Sequence, residues 1–271
     1  MRPEAAGRAP AWVLRREGWL VFLLGTLAFV AIPLSLGSVG ISWDTVNHHI
    51  YLGWTAEHPR FDRDYLAASY QSYQYPYLYW PIYKLALGGA SGMTAGIVIA
   101  LMHATAIPAT WMIARSCIPG EDWFAIAMRG GAVVLAFISG AVLSMFDVTS
   151  NDLVAATPLI WAYALALRPV SRPGASLAWP VASGVLAGLS VAFKLSNGFL
   201  ALAMPVLWLW PAGPLRVRLR RCMLAGLCVL AGFAASYGYW GWQLWTHYGN
   251  PIYPLYDGLF EPLRHWLGWH R

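Results

Sequence analysis

Charge is what this chain has least of. Asp, Glu, Lys and Arg make up 11% of its 271 residues, less than half of the ~25% usual in soluble domains. That scarcity excludes a soluble globular protein, a disordered tail and a nucleic-acid-binding module. Cysteine is scarce as well. Cys117, Cys222 and Cys228 have no metal-ligand spacing and build no disulfide framework. No internal repeat and no low-complexity linker is present. No small-residue cleavage site closes the first apolar run, so that run reads as an uncleaved helix and not as the core of a signal peptide. What is plentiful is apolar and aromatic: 58% of residues are hydrophobic, 16 are Trp and 14 are Tyr. Rings in such number suit membrane–water interfaces. The composition predicts an all-α, polytopic membrane protein. Its net charge of +6 then reflects topology rather than a polyanionic partner.

Residues 1–18 are polar. The apolar run over 19–41 exceeds the ~20 residues that span a bilayer. Residues 42–90 form the long polar region of the chain, ending in the tyrosine-rich stretch from Tyr70 to Tyr83. Six further spans are expected at about 92–114, 130–147, 152–168, 177–195, 197–213 and 222–245. The prolines within them are tolerated where neighbouring helices satisfy the freed carbonyls. With the N-terminus in the cytoplasm, the inside holds Arg2, Arg8, Arg15, Arg16, Arg115, Arg129, Arg168, Arg172, Arg216, Arg218, Arg220 and Arg221, two-thirds of the 18 basic residues. Arg60, Arg63, Lys84, Lys194, Arg264 and Arg271 fall outside. The expected organisation is a cytoplasmic segment 1–18, a transmembrane domain 19–258 and an extracytoplasmic tail 259–271. Region 42–90 is then an extracytoplasmic loop whose interleaved rings and charges predict short interfacial helices.

In this layout the polar outliers converge on the outer side. Asp44 follows the first span, with Asp62 and Asp64 further along the loop. Asp147, Asn151 and Asp152 fill the next outer turn. Lys194 and Asn197 lie at another, and Asn250 and Asp257 follow the seventh span. Ionisable groups at membrane depth are costly and mark function. Plainer readings stand beside each. Asp152 suits a helix N-cap, Lys194 can snorkel, and Gly249-Asn250-Pro251 is a turn signal. Adjacent His48 and His49 on a helix point apart, as solvated interfacial histidines do. The Tyr70–Tyr83 stretch reads as an aromatic belt or as the lining of a sugar or lipid groove.

The order of four short motifs resembles bacterial membrane proteins of the GT-C glycosyltransferase superfamily. These are Trp43-Asp44-Thr45-Val46-Asn47-His48-His49 after the first span, the Arg60 to Asp64 segment, Lys194-Leu195-Ser196-Asn197, and Gly249 to Pro254. The resemblance implies a multi-pass protein of the bacterial inner membrane that takes a sugar from a polyprenyl-phosphate donor on the extracytoplasmic face. Such transfer needs a carboxylate base and positive charge at the leaving phosphate, from a divalent metal ion or from Arg and Lys. The expected catalytic residues are Asp44, as base, and Asp64. Lys194 and Arg63 are expected at the donor phosphate. Asp152, His48 and Asn250 are expected to support the acceptor or a metal. Two other classes are weighed: a non-catalytic membrane subunit packed with protein partners in a respiratory or photosynthetic complex, and a transporter. A transporter calls for charges deep in several spans or for repeated broken helices, and neither pattern is evident.

Overall fold

The computed structural model describes residues 7–146, 148–171 and 176–269. Asp147, Arg2, Arg172 and Arg271 lie outside them. The architecture is all-helical, with one four-residue extended segment at Ala67–Tyr70. Helix α1 spans Ala11–Leu36 and ends at Gly37, whose φ of 75° lets its N–H close back on the Pro33 carbonyl. A π turn at Thr45–His49 leads into α2, Ile50–Thr55; α3 is Trp80–Leu87. Helices α4 (Gly92–Ala104) and α5 (Ile107–Cys117) form one rod broken at Thr105–Ala106, just before Pro108. Helix α6 (Trp123–Phe137) is N-capped by the Asp122 carboxylate and followed by the single turn α7 (Gly140–Leu143). Then come α8 (Asp152–Ser171), α9 (Ala178–Phe193), α10 (Gly198–Ala203), α11 (Leu215–Tyr248) and α12 (Asp257–Trp266).

Three helical stretches are long and apolar enough to cross a membrane: Ala11–Leu36, Gly92–Cys117 and Leu215–Tyr248. Trp123–Phe137, Ala178–Phe193 and Leu195–Leu209 are apolar but shorter. The boundaries depart from the expected spans in instructive ways. Helix α1 starts at Ala11 instead of residue 19; of the three charges in its first turns, Arg15, Arg16 and Glu17, the buried one, Glu17, is neutralised by arginines of neighbouring helices. The run expected over 130–147 begins at Trp123 and ends at Phe137, where Ser139 starts a separate capped turn. The run over 197–213 is α10 followed by a tight 3-10 stretch, Met204–Leu209, that accommodates Pro205. The stretch expected as a tail carries α12.

The bundle is held by two seams. Helices α9 and α11 cross so closely that a Cβ at Gly188 would sit 2.2 Å from the Val229 carbonyl oxygen, and one at Gly232 would sit 2.5 Å from that of Val185. Small residues permit this approach, which compensates for the weak hydrophobic drive between helices in lipid. Trp208 fills the space beside it and donates to the Ser183 hydroxyl at 3.2 Å. The second seam joins α1, α5, α6 and the turn after α7 through Phe29, Phe137 and Phe146, packed edge to face.

The two seams leave opposite ends of the bundle to polar side chains. At one end Glu17 of α1 accepts from Arg129 Nε at 2.6 Å and Nη2 at 2.8 Å, from Arg115 at 2.8 Å and from Trp111 Nε1 at 3.1 Å. Arg129 spends its remaining nitrogen on the carbonyls of Ile118 and Gly120. Glu17 and Arg129 are 2% and 0% exposed. At the other end, beyond Leu36, region 42–90 folds over the tips of α8, α9 and α11.

Candidate functional site

The π turn that follows α1 gathers the site. π turns are rare and occur often at functional positions. Here Ser42 and Thr45 bind each other reciprocally, Ser42 N–H to Thr45 Oγ1 at 3.2 Å and Thr45 N–H to Ser42 Oγ at 3.1 Å. Thr45 Oγ1 lies 2.6 Å from Thr149 Oγ1, and Thr149 lies 2.7 Å from His49 Nδ1. One threonine of the segment before α8 therefore ties the turn to the bundle. Asp44 Oδ1 stands 3.6 Å from His48 Nδ1; the carboxylate is half exposed while the imidazole is buried.

The histidines correct the expectation of solvated rings pointing apart. Both are buried, and their ring centroids lie 4.4 Å apart, edge to face. The cause is the lid over them: Tyr79 packs on His49 at 5.0 Å, and Thr149 closes the other side. Burial pushes His49 down to about 4, with the neighbouring His48 and Lys194 acting the same way and Asp44 and Asp152 opposing. Burial also lowers His48, against the pull of Asp44. Both imidazoles are neutral at physiological pH. The Tyr79 hydroxyl is raised to about 12, by burial first.

Lys194 caps the C-terminus of α9 in extended conformation and forms a direct ion pair with Asp152, the first residue of α8; both are half exposed. The turn that presents Lys194 is pinned by Asn197, whose amide donates to Ser190 Oγ at 2.8 Å, while Ser190 donates to the Ala155 carbonyl at 2.7 Å. The Lys-Leu-Ser-Asn motif is thus a device that locks α9 to α8 and sets the ammonium beside the histidines.

Asp44, His48, Asp152 and Lys194 therefore come together with His49. The other expected residues lie in separate arrangements. Asp64 sits 3.3 Å from the Arg60 guanidinium and accepts from Tyr51 at 3.4 Å. Burial, then Asp64, raise Tyr51 to about 12. Arg63 pairs at 3.4 Å with Asp62 on the exposed surface. Asn250 is fully buried and its amide is consumed within the turn after α11. It donates to the Leu255 carbonyl at 3.0 Å and to Asp257 at 3.1 Å, and accepts from Ile252 N–H at 3.0 Å. The hydrogen bonds of Asn250 are thus made within the turn, apart from Asp44 and Lys194. Asp257 is held below the usual carboxylate range by bidentate Arg264, at 2.7 and 2.9 Å, and by Asn250.

A cavity of about 570 Å³ adjoins Lys194. Tyr70, Tyr73, Tyr75, Tyr237, Tyr253 and Tyr256 furnish rings for it, and Gln71, Gln74 and Ser196 add polar groups. Thr149 and Ser190 escaped the sequence reading because lone hydroxyl residues carry no motif signal. The tyrosine stretch carried one, shared with an ordinary interfacial belt. Among the described residues no group of three or more His, Cys, Asp or Glu could hold a metal ion. No protein-family model matches the chain, and no curated protein or solved structure matches it.

Proposed function

We propose that the chain is a membrane glycosyltransferase of GT-C type, multi-pass in the bacterial inner membrane with its N-terminus in the cytoplasm. It transfers a sugar from a polyprenyl-phosphate donor on the extracytoplasmic face. The observation that carries this reading is that Asp44 and the Asp152–Lys194 pair all act on the same buried histidine pair, with Lys194 also lining a cavity. Each motif behind the resemblance is weak alone, and this convergence joins two of the four, the one that holds Asp44 and the one that holds Lys194.

In the proposed reaction an acceptor hydroxyl attacks the anomeric carbon of the donor sugar. Its proton passes to the Asp44 carboxylate, and the bond from the anomeric carbon to the phosphate oxygen breaks. The electron pair leaves on the polyprenyl phosphate, which draws the Lys194 ammonium away from Asp152. A general base contributes about 100- to 10,000-fold, and a fixed ammonium at the leaving oxyanion acts on charge that develops in the transition state. The half-exposed state of both ion-pair partners suits an exchange of partners.

The test uses the full chain purified in detergent with undecaprenyl-phosphate-linked sugars. Release of undecaprenyl phosphate that depends on an added acceptor is the expected result. Its absence with every lipid-linked sugar, together with stable co-purification in a larger complex, would replace the enzyme by a membrane subunit.

A further inference from the structure

We infer that the tyrosine-lined cavity beside Lys194 binds a neutral oligosaccharide, which is the sugar acceptor if the glycosyltransferase reading holds. The assignment as acceptor rests on that reading; the binding of saccharide does not.

The cavity falls within the roughly 300–1,000 Å³ of small-molecule sites. Its walls argue against a lipid tail. Phe193, Leu195, Pro254 and Leu255 make much of the wall apolar, but the Tyr70 and Tyr256 hydroxyls at the mouth and the Gln71 carboxamide would lose hydrogen bonds to water against a hydrocarbon chain. Its charge argues against an acidic glycan. Lys194 is the charged side chain that lines it among the described residues, and in the proposed reaction its ammonium is taken by the donor phosphate, which leaves no cation over for an acidic glycan. What fits flat rings edged by hydroxyls and amides is a molecule with apolar C–H faces and a rim of hydroxyls, which describes a pyranose.

The rings are held ready. Tyr75 stacks on Tyr237 with centroids 5.9 Å apart, Tyr73 meets Tyr253 edge to face at 4.8 Å, and Tyr253 stacks on Tyr248 at 4.2 Å. Tyr73 and Tyr237 are buried and form the floor; Tyr70 and Tyr256 stand exposed at the mouth. Tyr256 has φ of 52°, and Ser69, just before Tyr70, has φ of 54°. Left-handed backbone in such residues costs roughly 1–3 kcal/mol and is found at ligand clamps. A preformed aromatic platform binds with little ordering cost.

Saturation-transfer NMR on the detergent-purified full chain tests this with maltotriose, cellotriose and triacetylchitotriose. At least one should show saturable binding. Removing a mouth ring by Tyr256→Ala or Tyr70→Ala should weaken it about tenfold, as loss of an aromatic anchor does. Trp266→Ala, which removes an exposed ring on α12, should leave it unchanged. Added undecaprenyl phosphate should not displace the saccharide. Failure of all three trisaccharides to bind, wild-type binding by both tyrosine variants, or displacement by undecaprenyl phosphate would each overturn the inference. Donor-dependent transfer without saccharide binding would overturn it while sparing the enzyme. Saccharide binding without any transfer would support the cavity and remove the proposed enzyme.

Discussion

The two ends of the bundle solve the same electrostatic problem in opposite ways. At the Glu17 end one buried carboxylate meets two arginines and a tryptophan at 2.6–3.1 Å, and Arg129 also binds two backbone carbonyls. At the Asp44 end the carboxylate stands 3.6 Å from a neutral imidazole, and the Asp152–Lys194 pair is half exposed. A buried charge survives only when fully paired and hydrogen-bonded. The Glu17 end meets that condition, and its charges are spent on structure. The Asp44 end keeps capacity in reserve, which the proposed exchange of partners with a substrate requires.

The comparison is broken most sharply at Asp44. Asp44→Asn preserves shape and removes the carboxylate. Sugar transfer should fall by about 100- to 10,000-fold, with the thermal midpoint in detergent close to wild type. A large loss of stability would mean that Asp44 belongs with Glu17 as a structural charge. The converse holds at the other end. Glu17→Ala strands Arg129 and should cost about 3–5 kcal/mol, read as a collapse of folded yield and a lowered thermal midpoint. Glu17→Gln, which keeps hydrogen-bond acceptors, should be milder.

The same contrast explains what could be read in the sequence. Apolar runs announced a helical membrane protein because 11% charge leaves little else. Lys194 and Asp152 were legible as candidate site residues because both interrupt apolar runs at their ends, where a charge stands out. Glu17 was hidden for the opposite reason. It lies among Arg15, Arg16 and Gly18, and read as polar flank until Arg129, 112 positions away, supplied its partner. The side of burial for His48 and His49 depended on Tyr79 and Thr149, neither close in sequence. Asn250 had a turn reading and a ligand reading that share one signature, and its hydrogen bonds favour the turn. Arg63 and Asp64 are neighbours in sequence but differ in setting: one is exposed, the other tucked against Tyr51.

Acid should test the Asp44 end next. His49 is held near 4 against an ordinary 6.5, so the folded state refuses a proton that the unfolded chain accepts between those values. The sign follows: stability is full above about pH 6.5 and falls as the pH drops towards 4. The slope approaches about 1.4 kcal/mol per unit, or about 2 kcal/mol by pH 5. His48 shifts in the same direction and adds to the effect. His49→Gln should flatten the decline in a pH series of thermal midpoints. An unchanged decline would place its origin in other groups.

The smallest effect separates Lys194 from Arg63, both expected at the donor phosphate. Lys194 is fixed by the turn that Asn197 pins and lies between the histidines and the cavity. Arg63 is an exposed guanidinium paired at 3.4 Å with Asp62, also exposed, and surface pairs of this kind are worth about 0–1 kcal/mol. Lys194→Ala should therefore raise KM for the lipid-linked donor by about 10- to 100-fold, the worth of a charge-assisted hydrogen bond. Arg63→Ala should raise it by no more than about fivefold. Salt sharpens the distinction: an exposed charge is screened beyond ~10 Å at 0.1 M ionic strength, so the effect of Arg63→Ala should vanish in added salt while that of Lys194→Ala persists. A loss at Arg63 equal to that at Lys194 and resistant to salt would mean that the segment from Arg60 to Asp64 reaches the donor. The phosphate would then lie between two cations, and Arg63 would leave the class of spent surface charges for that of reserved ones.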